Sequence, residues 1–200
     1  HRDNIRAIQM TRNRMEAFSD GVIAIIITIM VLELRPPHDI SLAGLRPLLP
    51  VFGSYVMSYV YIGIYWSNHH HLFHAAQHVN GKSLWANLHL LFWLSLIPFT
   101  TAWMGENHFA TWPVALYGVM LLLAAISYTI LVRALLSSTG NELLATALGS
   151  DFKGKISIVI YAVAIPLAFI RPLLALMLYI LVAIIWLIPD RRIERKIEQG

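Results

Sequence analysis

The residues of this chain that could do chemistry are concentrated in two polar groups, each next to a long apolar run. The first group is Ser19 and Asp20, directly ahead of an apolar stretch that ends at Glu33. The second is the histidine-rich segment 68–78, which is followed by His89. Hydroxyl, carboxylate and imidazole groups could build a buried hydrogen-bond network, a proton relay or a metal site.

A metal site needs ligands at fixed spacing, and the histidines supply them only in part. His70 and His74, or His74 and His78, are one helical turn apart, a spacing that can hold Zn²⁺. No motif specifies a third ligand, and the chain has no cysteine. We therefore predict no resident metal and no cofactor. Ser19, Asp20 and the scattered histidines do not form a recognisable set of nucleophile, base and ligands, so an enzyme is not expected either.

The composition places these polar groups in a membrane protein. Hydrophobic residues make up 58% of the 200 residues and charged residues 13%, whereas soluble domains contain ~25% charged residues. The net charge of +4 is too small and too dispersed to indicate nucleic acid binding. The lipid bilayer is therefore the expected surroundings of the chain.

Six apolar runs are long enough, or nearly long enough, to cross a bilayer. Proline, glycine and charged residues separate them. The pattern predicts an all-α membrane protein, with a single six-helix transmembrane domain over residues 1–200. Pro98 should kink the third helix and free the carbonyl of Leu94. The approximate spans are residues 13–35, 45–75, 82–105, 108–134, 154–171 and 172–189.

The basic residues indicate how the six helices are oriented. With the N-terminus in the cytosol, twelve Lys and Arg residues lie on the cytosolic side, and only Arg35, Arg46 and Arg171 lie outside. An even number of spans returns the charged C-terminal tail to the cytosol. Both termini are therefore predicted to be cytosolic, which brings the histidines of the second helix and His89 of the third to the depth of Asp20.

The first span must be shielded from lipid over part of its length. Only twelve uncharged residues separate Asp20 from Glu33, whereas a lipid-exposed helix needs ~20. Ionisable groups at membrane depth persist only when they are paired or face water. We therefore expect a central helix whose Ser19 and Asp20 belong to a structural polar network. The other predicted members of that network are Arg14, Phe18, Asn68, His70, His74 and His89.

One face of the first span is apolar except for a single threonine. Ile26, Ile27 and Met30 lie on other faces of the helix. A packing face is the commoner explanation of such a stripe, and the wall of a pore is the alternative. At about 100° per residue, the members of the stripe are Phe18, Gly21, Val22, Ile25, Thr28, Ile29 and Leu32.

Three segments of the sequence resemble a known channel family. The signature Arg-x-x-x-Phe-Ser-Asp occupies residues 14–20, at the start of the first of six spans. The segments 66–73 and 91–99 are also similar to that family's. The family is the endolysosomal potassium channels, transmembrane protein 175 in animals, whose bacterial members have one six-helix unit. The similarity covers nearly the whole chain.

The resemblance implies a potassium-permeable channel in a bacterial plasma membrane, formed as a homotetramer of this chain. The first helices of such an assembly line the pore, and bulky aliphatic residues form its narrowest point. By position after the signature, these constriction residues would be Ile25, Ile29 and Leu32, with Thr28 as the polar residue beside them.

Selectivity in such a channel cannot come from a ring of backbone carbonyls of the usual type. The chain contains no Thr-Val-Gly-Tyr-Gly sequence, and this excludes that filter. An aliphatic ring would gate by dewetting. It would favour K⁺ over Na⁺ only modestly, because K⁺ gives up its water more readily.

A proton-coupled transporter is the alternative that the sequence leaves open. It would use Asp20 and the histidine cluster as a proton relay, and it should contain inverted repeats or paired broken helices. Pro98 and Pro166 are weak indications of broken helices. Passive K⁺ flux without coupled proton movement would separate a channel from such a transporter.

Overall fold

The computed structural model describes residues 2–138, 140, 141, 144 and 152–187, with side chains from residue 12 onward. Within this part of the chain all regular structure is helical. The helices in chain order are α1 (Arg2–Leu32), a short 3-10 helix (Leu42–Leu48), α2 (Leu49–Ala75), α3 (Gly81–Ser95), α4 (Ile97–Glu106), α5 (Thr111–Leu136), α6 (Phe152–Ile170) and α7 (Pro172–Leu187).

The predicted all-α membrane fold is confirmed. Within the described residues, five helical segments are long and apolar enough to cross a membrane, with α3 and α4 together forming one of them. The shorter apolar helix α7, with 16 residues, lies where the sixth span is predicted. Helix bounds agree with the predicted spans to within a few residues, except that α1 begins at Arg2 rather than near residue 13. Residues 188 and 189 of the last predicted span, and the charged tail after them, lie outside the described residues.

The third span is interrupted where the proline predicted a kink. α3 ends at Ser95 and α4 begins at Ile97, so that Pro98 occupies the first turn of a new helix. A proline is tolerated there because its missing N–H would have no partner in the first turn. At this junction the N–H of Leu96 donates to the carbonyl of Trp93 at 3.3 Å, and the carbonyl of Leu94, one turn before Pro98, has only a weak contact with the same N–H.

The second half of the bundle is held by buried tyrosines from α2, α5, α6 and α7. The hydroxyl of Tyr61 donates to the backbone carbonyl of Tyr179 at 2.5 Å, and the hydroxyl of Tyr161 donates to Tyr61 at 3.3 Å. The hydroxyl of Tyr179 donates to the carbonyl of Val114 at 3.2 Å. A Cβ at Gly118 would lie 2.0 Å from that hydroxyl, so only glycine leaves room for this contact.

The first helix packs on one side only. α1 contacts α2, α3 and α4, and its residues at helical spacing are buried in those contacts. Its opposite side has no cover within the described residues of the chain. Within one subunit, therefore, α1 lies at the edge of the bundle, and the central position that we predicted for it requires further copies of the chain. The buried residues are Met15, Ser19, Ile23, Ile26 and Met30.

Candidate pore-lining helix and its polar anchor

The uncovered side of α1, called the open face here, carries large aliphatic side chains. Ile25 is 58% exposed, Ile29 is 44% exposed and Leu32 is 74% exposed, while Ile26 and Met30 are buried. The three exposed residues belong to the stripe that helical periodicity predicts. The structure thus brings the predicted constriction residues onto one face and places their neighbours in the core.

Thr28 lies on the same open face, and its hydroxyl has a fixed direction. It donates to the carbonyl of Ile25 at 2.9 Å. Because its proton is used in that bond, the lone pairs of the oxygen remain on the open side, where they can accept from water or contact a cation. Two turns toward the N-terminus from Thr28, Gly21 is also exposed, and a Cβ there would meet nothing within 4 Å.

Behind the open face, a chain of hydrogen bonds ties α1 to α3 and α2. The hydroxyl of Ser19 donates to the carbonyl of Met15 at 2.8 Å and accepts from the Asn87 side-chain amide at 2.8 Å. The side-chain oxygen of Asn87 is 2.8 Å from Nε2 of His69. Ser19, Asn87 and His69 are all buried. We call these three side chains the polar anchor.

The geometry of the polar anchor fixes the tautomer of its histidine. Since the hydroxyl of Ser19 donates to a carbonyl, it must accept from the NH₂ of Asn87, and the amide oxygen then faces His69. Nε2 of His69 must therefore carry a proton. Nδ1 of the same ring is buried without a hydrogen-bond partner, so a second proton there would have no acceptor. The neutral ring is the form that this site accommodates.

Two further contacts join α1 to α2 at the surface of the subunit. Nε1 of Trp66 donates to Oδ1 of Asp20 at 3.0 Å, and Nδ1 of His70 is 3.0 Å from Oε1 of Glu16. Glu16 and Asp20 are one turn apart on α1, and Trp66 and His70 are one turn apart on α2. The two helices run antiparallel here, so each residue of one pair meets a residue of the other.

The structure brings together only some of the residues predicted for the network. Ser19, Asp20 and His70 make contacts between helices, whereas the side chain of Asn68 donates to the carbonyl of Ile64 in its own helix at 2.8 Å. The side chain of His89 accepts from Trp93, also in its own helix, at 2.9 Å. The remaining predicted members, Arg14, Phe18 and His74, are exposed and also lie outside these inter-helix contacts.

The network predicted from the sequence does not include four residues of these contacts, namely Glu16, Trp66, His69 and Asn87. A signal was present for the first two, because Glu16–Asp20 and Trp66–His70 are matched pairs with the spacing of one helical turn. No comparable signal singles out His69 among its histidine neighbours. Its role depends on the direction in which α2 faces α3.

A metal site is not assembled by these side chains. Among the described residues, no group of three or more His, Asp and Glu is placed to hold a metal ion. The rings of His70 and His74 stand 6.3 Å apart, and both residues are exposed. The arrangement offers hydrogen bonding between helices and an exposed aliphatic face with one hydroxyl.

Comparison with known proteins gives consistent relationships. Residues 14–98 match the family described as the endosomal/lysosomal potassium channel TMEM175. A protein of Chryseobacterium sp. (strain P1-3), named a potassium channel, is 55% identical over 96% of this chain and 100% of its own length. The human protein named endosomal/lysosomal proton channel TMEM175 is 32% identical over 96 residues, which are 42% of this chain and 19% of the human protein.

A solved structure has the same fold. The crystal structure of a lysosomal potassium-selective channel TMEM175 homolog from Chamaesiphon minutus superposes with a TM-score of 0.77, at 28% identity, over 88% of this chain and 96% of that one. The family match over residues 14–98 includes the residues of the open face and the polar anchor. This chain is an integral membrane protein, and it belongs to the TMEM175 family.

Proposed function

We propose that four copies of this chain form a potassium-permeable cation channel whose pore is lined by the open face of α1. The observation that carries the proposal is the exposure of Ile25, Ile29 and Leu32 on the side of α1 that the subunit leaves uncovered. The bacterial relative is named a potassium channel and the solved homolog a potassium-selective channel, and both names support a potassium channel here.

Lipid is a poor alternative partner for this face of α1. Arg14 lies three helical turns before Ile25 and is exposed on the same face. Charged groups at membrane depth are costly unless they face protein or water. A water-filled axis between several copies of α1 accommodates both Arg14 at one end and the aliphatic residues at the other. Assembly of several copies is therefore favoured, and the count of four comes from the family resemblance.

The aliphatic side chains would set the narrowest part of the pore. A ring of Ile25, Ile29 and Leu32 offers no ligands, so a passing ion must give up part of its hydration there, and an empty ring can close by dewetting. The lone pairs of Thr28 would replace some of the lost water. K⁺ holds its hydration shell less tightly than Na⁺, so the expected preference for K⁺ is modest.

Proton permeation is a second candidate, because the human relative is named a proton channel. Water in a pore is a better route for protons than the polar anchor, because His69 is buried and its Nε2 is already bonded to Asn87. The proton-coupled transporter suggested by Asp20 and the histidines finds less support. Asp20 is bonded to an indole, which cannot accept a proton.

The test is passive flux from reconstituted liposomes. Purified protein in vesicles with K⁺ inside and Na⁺ outside should generate a K⁺ diffusion potential, read with a voltage-sensitive dye, and the mass of the detergent-solubilised protein should correspond to four chains. A symmetric K⁺ solution with a pH gradient is the control for protons. Flux that appears only when a proton gradient is present would overturn the channel in favour of coupled exchange.

A further inference from the structure

A groove of about 490 Å³ opens between α3 and α5. Its walls are mainly apolar, with Ile130 and Ala134 from α5 facing the first turns of α3. Five residues of α3 also line it, and the largest three side chains among them are Lys82, Trp85 and His89. All three are exposed, and Trp85 is 74% exposed. The channel proposed above makes no use of this groove.

The polar groups of the groove are all hydrogen-bond donors. Nε1 of Trp93 donates to Nε2 of His89, and an indole can only donate, so in the neutral ring the proton of His89 is on Nδ1. No described residue accepts from that Nδ1–H, from the indole of Trp85 or from the ammonium of Lys82. The groove lining contains no carboxylate. Such a set complements an anionic ligand.

Lys82 lies where α3 begins and α5 ends, at the edge of the membrane-spanning region, and His89 lies two turns further along α3. The side chain of Asn80, which caps α3, donates to the hydroxyl of Ser138 just beyond α5 at 2.7 Å. The two helices therefore reach the same level here. Arg133, in the last turn of α5, is exposed beside the groove residue Ala134. The basic residues Lys82 and Arg133 thus lie at one end of an apolar groove.

We infer that this groove binds one anionic phospholipid per subunit. An acyl chain would lie along Trp85, Ile130 and Ala134, because hydrocarbon is the ligand that an apolar groove open to the bilayer meets. The phosphate would lie at Lys82, at the end of the groove nearer the membrane surface. Basic groups between helices at the membrane surface are the usual recognition element for anionic headgroups, and exposed tryptophans concentrate at the same depth.

The experiment uses quenching of Trp85 fluorescence by lipids with brominated acyl chains, and needs no ion flux. The whole protein is placed in vesicles, and the Trp85 signal is the difference between the unaltered chain and Trp85→Phe. Brominated phosphatidylglycerol in phosphatidylcholine vesicles should quench half of the Trp85 signal at a mole fraction about fivefold lower than brominated phosphatidylcholine in phosphatidylglycerol vesicles. A factor of about five is the effect expected of one basic residue near the headgroup.

Matched lysine variants separate a site from general surface charge. Lys82→Gln should abolish the preference for phosphatidylglycerol, whereas Lys155→Gln, which removes an exposed lysine of α6 outside the groove, should keep it. Equal quenching by brominated phosphatidylglycerol and brominated phosphatidylcholine would overturn the inference. Equal loss of the phosphatidylglycerol preference in the two lysine variants would also overturn it. Absence of quenching by either lipid would also overturn it, because another copy of the chain would then cover the groove.

Discussion

At the residue scale, the polar anchor shows how a membrane bundle can be fixed without burying charge. Ser19, Asn87 and His69 each form a hydrogen bond with at least one other member of the anchor. The bond that Ser19 donates to the carbonyl of Met15 determines the donor and the acceptor in each of the others. The anchor joins three helices with neutral groups only. Neutral pairs avoid the large desolvation cost of buried ions.

Removal of the central amide of the anchor should destabilise the protein. Asn87→Ala leaves the Nε2–H of buried His69 without an acceptor, and this should lower the free energy of unfolding by ~1 to 3 kcal/mol. The measurement is the thermal unfolding midpoint of the detergent-solubilised protein. Asn107→Ala is the control, because that amide is exposed and bonds only within its own helix. Equal midpoints for the two variants would contradict a role for the anchor.

The hydroxyl of Thr28 should contribute to ion discrimination separately from pore width. Thr28→Val keeps the shape of the side chain and removes the oxygen. Under opposed K⁺ and Na⁺ gradients the reversal potential of the variant should therefore move toward zero without a rise in conductance. A variant that keeps the original reversal potential would assign the whole preference to the aliphatic ring.

At the scale of elements, one face of α1 packs in the core and the open face is exposed. Variants of the adjacent residues Ile26 and Ile25 test the two faces separately. Ile25→Ala shortens an exposed side chain of the open face, so conductance should rise and selectivity should fall while stability changes little. Ile26→Ala opens a cavity in the core at ~2 to 5 kcal/mol, and its selectivity should be unchanged. Single-channel recording and thermal unfolding of both variants distinguish the two effects. Lost selectivity only in Ile26→Ala would mean that another face lines the pore.

The helices were predictable because each apolar run has to satisfy its backbone within the bilayer, and prolines such as Pro98 mark where a run must break. The start of α1 at Arg2 was not predictable, because the first residues of the chain are mostly polar and show no helical periodicity of apolar residues. Helical angle correctly separated Ile25 from Ile26. The partner of Ser19 could not be found in this way, because a single sequence does not say which side of α3 faces α1.

At the scale of the whole molecule, the edge position of α1 leads to a test of assembly. The chain has no cysteine, so single cysteines can be introduced without a background. Leu32→Cys should form disulfide-linked dimers on mild oxidation if copies of the open face converge. Trp112→Cys, which is also exposed but lies on α5, should remain monomeric on a denaturing gel. Equal crosslinking in both variants, or none in Leu32→Cys, would contradict convergence of α1.

The polar anchor also has a mechanical consequence. Because α1 is tied through Ser19 to α3 and α2, it cannot slide or rotate alone without breaking buried hydrogen bonds. The pore should then open and close by a tilt of entire subunits about their shared axis, with the helices of each subunit moving together as a rigid body. Distances between labels on α1 and α3 of one subunit should stay constant during gating, while distances between equivalent labels on different subunits change.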